Sequence, residues 1–166
     1  MNLEEYSSKL LRNMRVKIKK THPDAVIPFK TYDRDFCYDL VAVTEEEIAP
    51  CVWKYGFGLA MQIADKSQAG VINSIDIRPR SSVWKHGMIL SNCCGTVDEE
   101  YTGEISAVFY HVMPLMPRYK VGDVVAQMKL GSTSEIEFME VEKLDSTNRG
   151  EGGYGSTDAR RNTLLR

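Results

Sequence analysis

Apolar positions along the chain follow two periods. Leu3, Tyr6, Leu10, Leu11 and Met14 recur at helical intervals. Side chains so spaced share one face, which predicts a short amphipathic helix over residues 2–14, packed on a core or a neighbouring subunit. After it the helical period stops. Val16 and Ile18 alternate with lysines, the two-residue period of a half-buried strand. Short runs rich in β-formers follow: FGLAMQI, GVINSIDI, HGMILSN, EISAVFYHV, GDVVAQMKL and SEIEFMEVEKL. Glycine, proline or charged residues separate them. Several short strands at such spacing predict an all-β barrel or sandwich. Strands and helices do not alternate, which argues against a Rossmann-like or P-loop fold. The strand pattern ends near Asp145, and neither a second domain nor an internal repeat is visible. The expected organisation is a helical extension over 1–15, a β domain over 16–144 and a mobile glycine-rich tail over 145–166.

Composition narrows the function classes. The 166 residues are 43% apolar, which suits one domain with a real core. A formal net charge of −2 supplies no global basic field, so no nucleic-acid partner is expected. No apolar run reaches ~18 residues, so no membrane association is expected. The N-terminal MNLEEYSSKLLRNMR lacks the basic-then-apolar order of a signal peptide. Cys37, Cys51, Cys93 and Cys94 form no Cys-x-x-Cys pair and are read as reduced thiols of a cytoplasmic protein. His22, His86 and His111 lie far apart and show no zinc-ligand spacing.

The tail segment DSTNRGEGGYGSTDARR invites two readings. One is a plain linker, the usual fate of glycine-rich polar sequence. The other is an anion clamp. Arg149 stands directly before the glycines and Ser156-Thr157 directly after them. A planar guanidinium suits phosphate oxygens, and glycines let backbone N–H groups curl around an anion. Tyr154 between them could lie flat on a planar ring. No Gly-Lys-Ser/Thr follows, so this is not a Walker loop. A lid is marginally stable when empty, which accounts for the absence of a large aliphatic anchor.

RGEGGYGST resembles the C-terminal motif of the trimeric dUTP pyrophosphatases (dUTPases), where an aromatic precedes Gly-Ser-Thr. Four further resemblances occur in the family's order. DFCYDLVAV is similar to the first motif, with Asp39 at its acidic position. RPRSSVWKHGM resembles the second, with Arg80, Ser81 and Ser82. NCCGTVDEEYTGEI resembles the third, with Asn92, Val97, Asp98 and Tyr101. GDVVAQMKL resembles the fourth, with Gln127. The likeness spans roughly Lys17 to Asp158.

The resemblance implies a jelly-roll (β-clip) subunit, a homotrimer with three shared active sites, and a C-terminal lid. It implies hydrolysis of dUTP to dUMP and pyrophosphate by Mg²⁺-assisted water attack on the α-phosphorus. Asp98 is expected to be the general base, since water needs its proton removed as it attacks. Asp39 is expected to hold Mg²⁺ through water, the cation taking its other ligands from phosphates. Arg80, Ser81, Ser82 and Gln127 are the expected donors to the phosphate chain, with Arg149, Gly155, Ser156 and Thr157 closing from the lid. Strand residues from Asn92 to Val97 are expected to read uracil, Tyr101 to lie under the deoxyribose and Tyr154 to cap the base. Bland readings stand beside these: Asp98 as a hairpin-turn residue, Asp39 as a strand end, Arg80 in a structural ion pair, and both tyrosines in ordinary packing.

Some positions depart from the family pattern. Val124 stands where a basic residue is usual, Cys37 where glycine is common, and Asp158 in place of the final motif glycine. Two rival readings stand beside this one. dCTP deaminase shares the fold and an Arg-Ser-Ser motif, but its catalytic glutamate corresponds here to Val108, which cannot shuttle a proton. A non-catalytic module using nucleotide-dependent lid ordering as a switch is the other.

Overall fold

The computed structural model describes residues 14–65 and 69–153. The helix expected over 2–14 falls outside these residues except for Met14. The chain divides into two compact units, Met1–Glu135 and Ile136–Arg166.

The first unit is built from antiparallel strands: β1 (Val16–Lys20), β2 (Tyr38–Val41), β3 (Thr44–Ala49), β4 (Val52–Ile63), β5 (Val71–Pro79), β6 (Met88–Leu90), β7 (Gly95–Asp98), β8 (Glu104–His111) and β9 (Val124–Ser134). A 3₁₀ turn, Val83–His86, precedes β6. One sheet runs β1-β4-β8-β6, with β3 also on β4; the other runs β2-β9-β5-β7. The 12-residue β4 is long enough to carry two neighbours on one edge. Its first half pairs with β3 and its second half with β1. Between the halves its register against β8 shifts, and Gly58 lies within that shift at φ +61°. A Cβ there would meet His22 Cβ at 2.5 Å, so space and backbone both require glycine.

The core draws on both sheets. Tyr55, Phe57, Leu59, Ile105 and Phe109 come from one, and Leu40, Ile75, Ile77, Ala126 and Met128 from the other. Residues of the second sheet alternate in and out, as the pleat demands. Ile75 and Ile77 face inward, while Ser74, Asp76 and Arg78 occupy the opposite face of β5. The all-β expectation therefore holds, and the resemblance to the dUTPase-like β fold with it. Three strands lay outside the apolar runs. β2 and β7 have four residues each, and β3 (TEEEIA) carries three glutamates on a sheet edge, where charge discourages stray pairing.

The run SEIEFMEVEKL behaves otherwise. β9 stops at Ser134, and no strand is assigned from Glu135 to Gly153. Phe138, Met139 and Leu144 are 81–90% exposed. Apolar alternation favours a strand only where another strand lines up beside it, and none does among the described residues. In the second unit Gly150 N–H donates to Thr147 O at 3.1 Å, and Arg149 Nε donates to Gly152 O at 2.8 Å.

Candidate active site

Three distant segments meet at the β2 edge of the second sheet. In register, Asp39 on β2 faces Gln127 on β9, and Gln127 faces Arg78 on β5. Strand pairing thus sets a carboxylate and an amide side by side. The Asp39 N–H donates to Phe29 O at 2.7 Å, which holds the strand end. The Gln127 amide donates through Nε2 to Pro79 O at 3.0 Å, the partner a half-buried amide needs. Pro79 closes β5, and its fixed φ launches a turn at Arg80. Val83 N–H bonds back to Arg80 O and Lys85 N–H to Ser82 O, which tightens the chain into the 3₁₀ turn.

Arg80 reaches back over the sheet. Its Nε lies 3.7 Å from Asp39 Oδ1, and its Nη1 donates a long bond of 3.4 Å to Val124 O. Val124, standing where the family has a basic side chain, contributes its carbonyl instead. Asp39, Arg80, Ser81 and Gln127 line a cavity of about 530 Å³. Its remaining wall is the loop containing Thr31, Tyr32, Asp35, Phe36 and Cys37. Asp35 fixes that loop: its carboxylate accepts from Tyr32 N–H at 2.9 Å, and its own N–H donates to Tyr32 O. Sequence reasoning missed this wall. The available signal was the turn-forming pair Asp33 and Asp35 between aromatics.

The opposite edge of the sheet carries a second, smaller site. β7 pairs with β5 on one side only, with Asp98 opposite Ser74 and Val97 opposite Ile75. Cys93 takes a left-handed φ of +58° in the turn before β7, with Asn92 beside it. After β7 the chain turns at once. Tyr101 N–H donates to Asp98 O at 3.0 Å, and Tyr101 O–H donates to Glu104 O at 3.0 Å. Val97, Asp98 and Tyr101 line a cavity of about 210 Å³ together with Thr96, Glu104, Ile105 and Ser106. Asn92 and Ser82 line neither cavity.

Asp39 and Asp98 share a face of one sheet but not a site within the chain. Three strand spacings separate β2 from β7, about 14 Å at the usual interstrand distance. Four further residues along β5, from Arg78 to Ser74, add about 13 Å, so the two carboxylates are about 20 Å apart. Between them Lys129 Nζ and Asp76 Oδ2 pair at 2.8 Å, and Ser74 Oγ donates to Asp76 at 2.9 Å. Lys129, then Ser74, holds the Asp76 carboxyl below its ordinary pKa, against desolvation.

Of the remaining predicted residues, Arg149 lies in the turn of the second unit, while Tyr154, Gly155, Ser156 and Thr157 lie outside the described residues. Among the described residues no three His, Cys, Asp or Glu side chains gather to hold a metal ion. Asp39 is the one carboxylate among Asp39, Arg80, Ser81 and Gln127, and Arg80 beside it suits phosphate and not metal; a single carboxylate suits a hard cation that keeps its waters and takes its other ligands from phosphate. The residues therefore fit Mg²⁺ held through water.

Comparison with known proteins bears on the assignment. The dUTPase family model matches residues 24–158. The deoxyuridine 5′-triphosphate nucleotidohydrolase of Helicobacter pylori (strain ATCC 700392 / 26695) is 36% identical, over 87% of this chain and 97% of its own. The Wolinella succinogenes enzyme of the same name is 36% identical, over 89% and 96%. Among solved structures, a mutant dUTPase of Staphylococcus bacteriophage 80alpha with dUpNHpp superposes with a TM-score of 0.65 at 18% identity, covering 86% of this chain and 98% of that one. A mutant dUTPase of S. aureus phage phi11, described for its coordination of a structural Mg(II) ion, superposes at 0.61 with 16% identity, covering 80% and 99%. Ordered motifs, a shared two-sheet fold and full-length relatives agree: the chain belongs to the dUTPase family.

Proposed function

We propose that this chain hydrolyses dUTP to dUMP and pyrophosphate, removing dUTP and supplying dUMP for thymidylate synthesis. One observation carries the reading: Asp39, Arg80, Ser81 and Gln127, from three separate motifs, line a single cavity. Such a group of donors with one carboxylate suits a polyphosphate and its cation. Arg80 offers a planar fork to phosphate oxygens. Gln127 and Ser81 add neutral donors that survive close approach to charge. Asp39 holds Mg²⁺ through water; when bound, the cation neutralises charge that develops on the leaving pyrophosphate. Ser82 donates from the same turn. Arg149, Gly155, Ser156 and Thr157 close on the γ-phosphate end.

Asp98 takes the proton of the attacking water. Its place on an edge strand supports this, because one side of β7 is free to meet a ligand. The same free edge offers backbone N–H and C=O groups to uracil, whose two acceptors flank one donor. Val97 on β7 and Asn92 in the turn before it belong to this base-reading edge, which is a strand paired with β5 and not the hairpin that a local reading suggests. Cytosine leaves buried polar groups unpaired there, at ~1–3 kcal/mol each, and a close approach to the strand edge excludes the thymine methyl. Tyr101 lies under the deoxyribose and crowds a 2′-hydroxyl; Tyr154 caps the base.

The two sites cooperate across chains. With about 20 Å between Asp98 and Asp39, one chain does not present both to the same substrate. A homotrimer, in which each active site takes its base-side edge from one copy and its phosphate-side edge from another, resolves this. The exposed strand-like run Ile136–Leu144 is consistent with a segment whose partner is a second copy. The protein is proposed to work in the cytoplasm.

The test is pyrophosphate release from dUTP, UTP, dCTP and dTTP with Mg²⁺. Release is expected from dUTP alone. Binding of dUTP without release would instead favour a pure switch module, and ammonia from dCTP would favour a deaminase.

A further inference from the structure

Beneath the Arg80–Ser82 turn lies a side chain that the reaction as proposed leaves unused. Tyr119 is 1% exposed and belongs to the core. Its ring is held on several sides. His86 stacks on it at 3.9 Å between centroids, and Tyr55 and Phe109 meet it edge-on at 6.2 and 5.9 Å. His86 is itself anchored, with Nδ1 3.1 Å from Pro117 O. The Tyr119 carbonyl accepts from Tyr55 O–H at 2.9 Å. Its hydroxyl oxygen is the exception. It is fully buried and closes no hydrogen bond, alone in this among side-chain oxygens and nitrogens of the described residues. A buried hydroxyl without a partner costs ~1–3 kcal/mol, so such a group calls for an explanation.

Its surroundings supply one. Burial raises the Tyr119 pKa, so at neutral pH the group is a protonated donor. Arg80 and then the Ser82 hydroxyl counter part of that rise; Asp123 and Tyr55 add to it. Ser82 is thus within interaction range of the phenol, although the pair falls short of full hydrogen-bond geometry. Ser82 is also uncommitted at the 3₁₀ turn, which it begins without a side-chain cap bond. A serine hydroxyl has one proton to donate and two lone pairs to accept with. When Ser82 donates to a phosphate oxygen, its lone pairs are left facing a buried donor.

We infer that Tyr119 is a positioning residue: its hydroxyl donates to Ser82 Oγ as Ser82 donates to the substrate's phosphate chain. The bond reaches full geometry in the loaded state, so the poorly satisfied phenol of the free protein becomes part of the affinity for the triphosphate. Hydrogen bonds in series polarise one another, which strengthens the Ser82 bond to phosphate. The inference rests on the phosphate-binding reading of the Arg80–Ser82 turn.

Tyr119→Phe tests it, since phenylalanine keeps the ring, the His86 stack and the edge contacts. In the full-length protein with Mg²⁺, KM for dUTP is expected to rise about tenfold with kcat changed less than about threefold. The dissociation constant of dUpNHpp should rise by a like factor. The thermal midpoint without nucleotide should stay level or rise. In a Ser82→Ala background, Tyr119→Phe should add no further loss, the signature of a shared bond. A Tyr119→Phe protein with unchanged KM and dUpNHpp affinity overturns the inference, as does a full additive loss on top of Ser82→Ala. A wild-type protein inactive on dUTP fails the functional reading itself; an active wild type with an equally active Tyr119→Phe fails this inference alone.

Discussion

The two edges of the β2-β9-β5-β7 sheet are built by different means. The β7 edge is local: Val97, Asp98 and Tyr101 reach their cavity within a few residues of one another, on a strand paired with β5 and on the turn that follows it. The β2 edge is assembled from residues 39, 80, 81 and 127, brought together by strand register and by one turn after Pro79. The first presents an unpaired strand edge and a carboxylate. The second presents a guanidinium–carboxylate ion pair and an amide beside it. An unpaired strand edge can read a flat base with its backbone, whereas an extended polyphosphate needs several side chains of mixed charge. The proposed reaction brings both edges to one substrate, while one sheet holds them apart.

The largest effect is expected where the edges differ most. Asp98→Asn should reduce turnover by about a thousandfold, within the range for loss of a general base, while dUpNHpp binding changes only severalfold. Arg80→Ala on the other edge should instead lose nucleotide affinity. Parallel loss of affinity in both variants would erase the distinction.

Mixing the two inactive variants sharpens it further. If Asp98 and Arg80 serve one substrate from different copies, statistically mixed trimers of Asp98→Asn and Arg80→Ala regain about a quarter of the wild-type sites. If both came from one chain, mixing would restore nothing. Smaller again is Arg80→Lys, which keeps the charge but loses the planar fork; kcat/KM for dUTP is expected to fall about tenfold. Tyr101→Leu should raise UTP hydrolysis relative to dUTP by a similar factor, with both rates followed by pyrophosphate release.

The smallest effect concerns the strip between the edges. Lys129→Met should cost about 1 kcal/mol in urea unfolding, the scale of a partly covered ion pair. Asp76 has its folded pKa lowered from 3.8, chiefly by Lys129. Its contribution to stability is therefore complete above pH 3.8 and is lost as pH falls through the lowered value. Lys129→Met should flatten that part of the stability–pH curve.

The apolar runs around β5 and β8 were legible because burial of one face writes a two-residue period into the sequence, and the run in β4 because it is buried without a break from Tyr55 to Met61. β3 was not, because an edge strand of three glutamates buries almost nothing. SEIEFMEVEKL shows the converse error: it has the period without a partner strand. Within the site, Asp98 and Tyr101 could be read together because a turn joins them. That Arg80 sits 3.7 Å from Asp39, or that Asp33 to Cys37 close a wall beside it, could not be read from spacing.

By itself the order of residues determined the β class and the family, since these depend on local periodicity and short motifs. Only the tertiary structure decided that Asp39 and Asp98 stand on opposite edges of one sheet, and that the Tyr119 hydroxyl is buried without a partner beneath the Arg80–Ser82 turn. Register and packing join residues far apart in the chain, and no local pattern records which strand will lie beside which.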